Sequence, residues 1–198
     1  PSEAIILADS TSTPRLCALD MLIEAEHGPD SSVYLVTDSA ALADEVAKLL
    51  PELLAKMDAG RRAWCEAVLG GERGGIAVAP DMEAACAFVN DYAPEHLQIM
   101  GTEPERHAGK ITEAAEVLLG ENLPGSIANY VLGPNCILPT GGAARAHGPL
   151  SPLDFLKART VAKVDADAYP ELAEHTRRFA AYEGFDAHAR AAEEERGG

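Results

Sequence analysis

The chain has no two cysteines in CxxC spacing: Cys17, Cys65, Cys86 and Cys136 stand far apart. They can form neither a zinc ribbon nor a thioredoxin-type motif, and the expectation is reduced thiols in a cytoplasmic protein. Basic residues are scarce, with 16 Lys plus Arg against 32 Asp plus Glu and a net charge of −16. That charge repels a phosphate backbone and argues against nucleic-acid binding. No apolar run approaches the ~20 residues that span a bilayer, so no membrane role is expected. No G-x-G-x-x-G follows a β-like run, which leaves the common dinucleotide fingerprint missing. The opening PSEAIILADST shows neither an initial Met nor the basic-then-apolar layout of a secretory leader, and reads as the middle of a longer protein. Internal repeats and low-complexity stretches are also lacking.

What is present is a globular composition: 198 residues, 47% hydrophobic and 24% charged, enough for one domain with a small appendage. Two aliphatic runs, EAIILAD (3–9) and SSVYLVTD (31–38), flank PRLCALDMLIEAEHG, whose apolar residues at 16, 19, 22 and 23 recur at helical spacing. That is a strand–helix–strand unit of a parallel sheet. Residues 40–69 read as two helices meeting at Pro51, because proline lacks the N–H of an interior helical position. GGIAVAP (74–80) is a third strand, DMEAACAFVNDY (81–92) a helix capped by Asp81, and HLQIM (96–100) a fourth strand. TEPERHAGKI reads as helix, AAEVLLG as strand, and the Gly/Pro-rich stretch from Gly120 to Leu150 as an irregular but ordered segment. From Ser151 the pattern turns to SPLDFLKA, a short strand RTVAKV, a helix ended by Gly184, and a last helix FDAHARAAEEER. The fold expected is α/β, a parallel-rich sheet flanked by helices (an incomplete Rossmann-like domain) over 1–150, with a helical module over 151–198.

Four positions can carry chemistry. Glu24 and His27, at i and i+3 of one helix, share a face suited to metal ligation; a surface Glu–His pair at a helix C-terminus explains them equally. Glu95 and His96 offer a base and an acid side by side, or a solvated turn between a helix and a strand. His188 on the last helix is a further candidate, while His107, His147 and His175 read as ordinary histidines.

The blocks EAEHGPD, NDYAPEHL, GPNCILPTGGAAR, LSPLDFLK and EGFDAHARAAEEER occur in the order and spacing of the histidinol dehydrogenase family, which the chain resembles over almost its whole length. Enzymes of that family oxidise an alcohol through an aldehyde to a carboxylate with two NAD molecules and a bound zinc. The resemblance implies that Glu95 and His96 are the acid–base pair, His96 taking the alcohol proton and Glu95 activating water. It implies His27 and His188 as zinc ligands, Glu183 near the substrate, and a homodimer in which His188 reaches a neighbour's site.

Departures from the family pattern are informative. Glu24 stands where the family has Gln, and Asn129 where it has Asp, so the expected ligand set Glu24, His27, Asn129 and His188 keeps its formal charge. Cys136 replaces a histidine expected at the substrate, and a thiol is a weak donor. With SIANY and ARAHGPLS, this points to a paralogous branch acting on small polar alcohols other than histidinol, such as sulfonated diols. The family's chain is more than twice as long, so the half carrying most of the NAD site is expected elsewhere, as a missing N-terminal half or a partner chain. The rival from another class is a non-catalytic fold fragment serving as a metal-binding or interaction module.

Overall fold

A computed structural model describes residues 2–192. The elements run β1 (Glu3–Ala8), α1 (Pro14–Ala25), β2 (Ser32–Thr37), α2 (Ala40–Leu54), α3 (Ala59–Leu69), β3 (Gly74–Val78), α4 (Met82–Tyr92), β4 (His96–Ile99), α5 (Pro104–Ala108) and β5 (Glu116–Leu119). A short α6 (Gly125–Ile127) follows, then a π-helical turn Ala128–Leu132, and later α7 (Tyr169–Glu183) and α8 (Asp186–Ala191). The five strands form one sheet in the order β3-β2-β1-β4-β5, and every pairing is parallel.

Strand composition follows position in the sheet. Central β1 is covered on both faces and therefore reads as an unbroken apolar run. Its even residues Ala4, Ile6 and Ala8 pack with Met21, Leu22, Val46, Leu53 and Val68 of α1, α2 and α3. Its odd residues Ile5 and Leu7 pack with Val36, Leu97, Ile99 and, from α4, Ala85, Cys86 and Val89. This is the period-two alternation of a strand between two helical layers. Edge strand β5 alternates instead: Glu116 and Leu118 are buried, Val117 and Leu119 exposed.

Three sequence expectations need correction. Helix α2 continues through Pro51, because a proline three residues before the end forfeits a single backbone bond and Ala55 N–H still reaches the Pro51 carbonyl at 3.1 Å. The break falls at 55–58, where Asp58 caps α3 by accepting from Gly60 N–H at 2.9 Å. The buried face of α1 is Cys17, Ala18, Met21, Leu22 and Ala25, leaving Leu19 40% exposed, so its apolar spacing misplaced the stripe by about one residue. Residues 159–164 form no strand among the described residues; β-branched residues make a strand only where a neighbour takes their backbone groups.

The chain divides into a larger unit ending at Asp154 and a smaller one beginning at Phe155. In the smaller unit α7 ends at Gly184, whose φ of 76° only glycine adopts freely, and α8 packs back on α7 with Arg177 donating to the Ala192 carbonyl at 3.0 Å. In the larger unit the irregular segment after β5 is fixed to the amino end of β1, Gly141 N–H donating to Glu3 Oε1 at 2.8 Å, and Arg145 donates to the Asp91 carbonyl. Among the described residues no helix is long and apolar enough to cross a membrane.

Asp20 on α1 is raised from 3.8 to about 6, first by burial and then by the charge of Glu121. A raised acid disfavours folding once ionised, so the cost is absent below about pH 4, grows to about pH 6 and is complete above it. Asp20→Asn is therefore expected to stabilise the larger unit by about 1–2 kcal/mol at pH 7, taking roughly 1.4 kcal/mol per unit and discounting for partial exposure. Urea unfolding at pH 7 and pH 3 checks this, since the gain should vanish at the lower pH.

Candidate active site

Parallel register gathers the candidates at the amino ends of the strands. Ala4 of β1 lies opposite His96 of β4, and His96 opposite Glu116 of β5. Helix α1 runs back across the sheet, so Glu24 in its last turn reaches the same end. Helix α4 closes at Ala93, a buried residue with φ of 56°, an αL conformation that costs a non-glycine residue about 1 kcal/mol. That turn, followed by Pro94, aims Glu95 and His96 into β4.

The cluster is buried and acidic. Glu24, Glu95, His96 and Glu116 are all buried. Ser2 Oγ lies 2.6 Å from Glu24 Oε2 and 3.0 Å from Glu95 Oε2, so one hydroxyl proton stands between two carboxylates. Glu95 Oε2 also accepts from Glu3 N–H at 3.0 Å. Burial pushes the Glu95 carboxyl above its ordinary value, and the Glu3 N–H and the charge of His96 only partly offset this. A carboxyl poised upward holds or releases a proton more readily near neutrality than an exposed one. His96 Nδ1 is 2.8 Å from Glu116 Oε2, while Nε2 is 3.8 Å from Glu95 Oε1 and 4.0 Å from Glu24 Oε1. Burial alone would lower its pKa, but the Glu116 hydrogen bond and the charges of Glu24 and Glu95 outweigh it and the net direction is up.

Glu24 and His27 do meet, Oε2 to Nε2 at 3.4 Å, although His27 sits in the turn just past α1 and not within the helix. Beside them a cavity of about 20 Å³, room for about one water, is lined by Ala4, Asp20, Glu24, His96, Gln98 and Gly125. Gly125 of α6 lies next to this carboxylate, where an added Cβ would make an ordinary 3.9 Å contact with Glu24 Oε1. Asn129 follows on the next turn, where its Oδ1 lies 3.4 Å from Cys136 Sγ. The Cys136 thiol is raised, by desolvation and then by the charges of Glu116 and Glu24, which keeps it a neutral weak donor. Glu183 and His188 belong to the smaller unit, where they line one groove with His175 and Phe179. His107, read from the sequence as ordinary, is buried with Nε2 3.6 Å from Asp9 Oδ2.

Thus four of the eight residues singled out from the sequence, Glu24, His27, Glu95 and His96, converge; Asn129 and Cys136 pair with each other, and Glu183 and His188 share a groove. Among the described residues no group of three or more His, Cys, Asp or Glu side chains is arranged to hold a metal. Glu24 and His27 nevertheless present one carboxylate and one imidazole, donor types that zinc accepts, and could hold it only together with further ligands. Ser2 and Glu116 escaped sequence reasoning. Ser2 carried no signal, but Glu116 did: an acid in the inward phase of an alternating strand.

An α/β domain with a parallel sheet and a buried carboxylate–imidazole cluster at its amino edge has the outline of an acid–base catalyst. Comparison with known proteins is specific. The family model described as histidinol dehydrogenase matches residues 1–196. A protein named histidinol dehydrogenase homolog from Cereibacter sphaeroides is 56% identical over 96% of this chain and 43% of its own length. Histidinol dehydrogenase from Synechocystis is 47% identical over 98% of this chain and 44% of its own length. The crystal structure of histidinol dehydrogenase from Elizabethkingia anophelis superposes with a TM-score of 0.88 at 32% identity, over 98% of this chain and 44% of that one. The chain belongs to the histidinol dehydrogenase family, and it spans less than half the length of these relatives.

If Glu24 is a ligand, Glu24→Gln keeps its contact with Ser2 but removes the carboxylate charge, and zinc affinity should fall by about 100-fold, the upper range for lesser perturbations around a metal. Asn129→Asp should be tolerated or bind more tightly. Zinc titration calorimetry measures both, and unchanged affinity in Glu24→Gln would exclude Glu24 from the ligand set.

Proposed function

We propose that this chain is the acid–base and metal-holding part of a dehydrogenase that oxidises a small polar alcohol through an aldehyde to a carboxylate, with NAD as electron acceptor. The observation that carries this reading is His96, buried and hydrogen-bonded at Nδ1 to Glu116 while its Nε2 lies 3.8 Å from Glu95 and 4.0 Å from Glu24. In the first oxidation His96 Nε2 takes the hydroxyl proton as the carbon loses hydride. In the second, Glu95 takes a proton from water as its oxygen adds to the aldehyde carbon, and the hydrated aldehyde loses hydride in turn. NAD, when bound, supplies the hydride acceptor for both steps. Zinc, when held by Glu24 and His27 with Asn129 and a His188, supplies Lewis acidity and a fixed seat for the substrate.

The substrate reading rests on Cys136 and on the pattern of relatives. Among the proteins compared, those named homologs are 52–56% identical and those named histidinol dehydrogenase 39–47% identical. A thiol cannot match the two nitrogens of an imidazole, which favours a polar alcohol other than histidinol. A homodimer in which each subunit lends His188 to the other supplies the fourth ligand, and reduced thiols accord with a cytoplasmic setting.

The test joins this chain to the N-terminal part of the Cereibacter sphaeroides relative and follows NADH formation with a panel of polar alcohols. His96→Ala is expected to lower kcat by about 10²–10⁴-fold with zinc content unchanged, because His96 moves protons and is not a ligand. Equal loss of zinc and activity would sink that assignment, and no turnover with any alcohol would favour a non-catalytic module.

A further inference from the structure

Three carboxylates surround one imidazole, and a neutral imidazole carries a single ring proton. Which nitrogen carries it decides whether His96 presents an acceptor or a donor at Nε2. Glu95 and Glu24, 3.8 and 4.0 Å from Nε2, both pull the proton to Nε2, where His96 would be useless as a base. Opposing them is Glu116, at hydrogen-bond distance (2.8 Å) from Nδ1 and one register position across the β4–β5 ladder. We infer that Glu116 is a positioning residue that holds the His96 proton on Nδ1 and so keeps Nε2 free as the acceptor.

A second observation sets this apart from incidental packing. Among the described residues Glu116 Oε1 is buried without a hydrogen-bond partner, and the carboxylate's one side-chain hydrogen bond there is to His96, so it bears a desolvation cost for that contact. Its β5 position faces inward with Leu118, where an aliphatic residue would pack at no such cost. The ladder itself does not need the acid, since the bond from Glu116 N–H to the Glu95 carbonyl is backbone. The pair also fixes the ring orientation, because a flip of the imidazole would put Cδ2 in place of Nδ1 and lose the bond to Glu116.

The catalytic consequence rests on the acid–base reading of His96, but the tautomer does not, and the two are tested separately. In the 198-residue chain with ¹⁵N-labelled histidine, long-range proton–nitrogen correlations at a pH where the ring is neutral should show His96 Nδ1 protonated and Nε2 bare. A proton on Nε2 in the unmodified chain overturns the proposal without any variant. In Glu116→Leu the proton should move to Nε2, and an unmoved proton would equally overturn it. In the joined enzyme Glu116→Leu should lower kcat by about 10–100-fold with KM within about twofold, because Glu116 does not touch the substrate. A tautomer that switches while kcat holds leaves Glu116 as the positioning residue and removes His96 from proton transfer instead.

Discussion

The candidate site exists because three strands, β1, β4 and β5, pair in one register. His96 lies opposite Ala4 on one side and Glu116 on the other. A slip of one residue on β4 would exchange its faces, turning His96 away from Glu116 and Leu97 out of the core. Register is held by the apolar residues that follow, Leu97 and Ile99 on one face of the sheet with Ile5, Leu7 and Val89. The hydrophobic effect thus sets the geometry of polar groups that contribute little to stability themselves.

Placing three acids around one histidine is costly in a chain already at −16. Buried carboxylates are tolerated only where donors meet them, and the donors here are few: the Ser2 hydroxyl, the Glu3 N–H and the His96 ring. The shortage shows in the orphaned Glu116 oxygen and in the upward direction of Glu95 and His96. Structural ion pairs usually arrive with their donors complete. A set short of donors, with proton affinities raised by burial and like charge, is the arrangement that functional sites accept.

Much of this was visible in the residues themselves. Strands β1 to β4, the Asp81 cap and the Gly184 stop followed from local rules, because apolar runs, a capping carboxylate and a left-handed glycine act within a few residues. Glu24, His27, Glu95 and His96 were singled out by residue type and family wording. Their convergence was not readable, since it depends on strand order, which a parallel sheet sets through crossovers and not through neighbours in sequence. Glu116 stood out only as an acid in the inward phase of a strand; its partner His96 lies across the ladder, 20 residues away in sequence. The strand expected at 159–164 failed for the complementary reason: local propensity without a partner. Pro51 misled because the rule against helical proline weakens in the last turn.

The location of the cluster runs against the habit of open α/β sheets, which bind ligands outside the carboxyl ends of their strands where the order reverses. Here the order reverses between β1 and β4, and the carboxyl end of that crevice is taken by the protein itself. Glu121 accepts from Thr13 N–H at 2.6 Å and from Thr13 Oγ1 at 2.7 Å, seating a carboxylate at the amino end of α1 where a phosphate would otherwise be favoured. Asp9 Oδ1 accepts from Thr11 N–H at 2.8 Å, and Thr11 Oγ1 accepts from Thr102 N–H at 3.0 Å, lacing the β1 and β4 loops together. An incoming phosphate would have to displace Glu121 and face Asp9 and Asp20 in an acidic chain. With that end occupied by its own charges, the same sheet gathers its buried carboxylate–imidazole cluster at the opposite edge, where α1 ends and β4 and β5 begin.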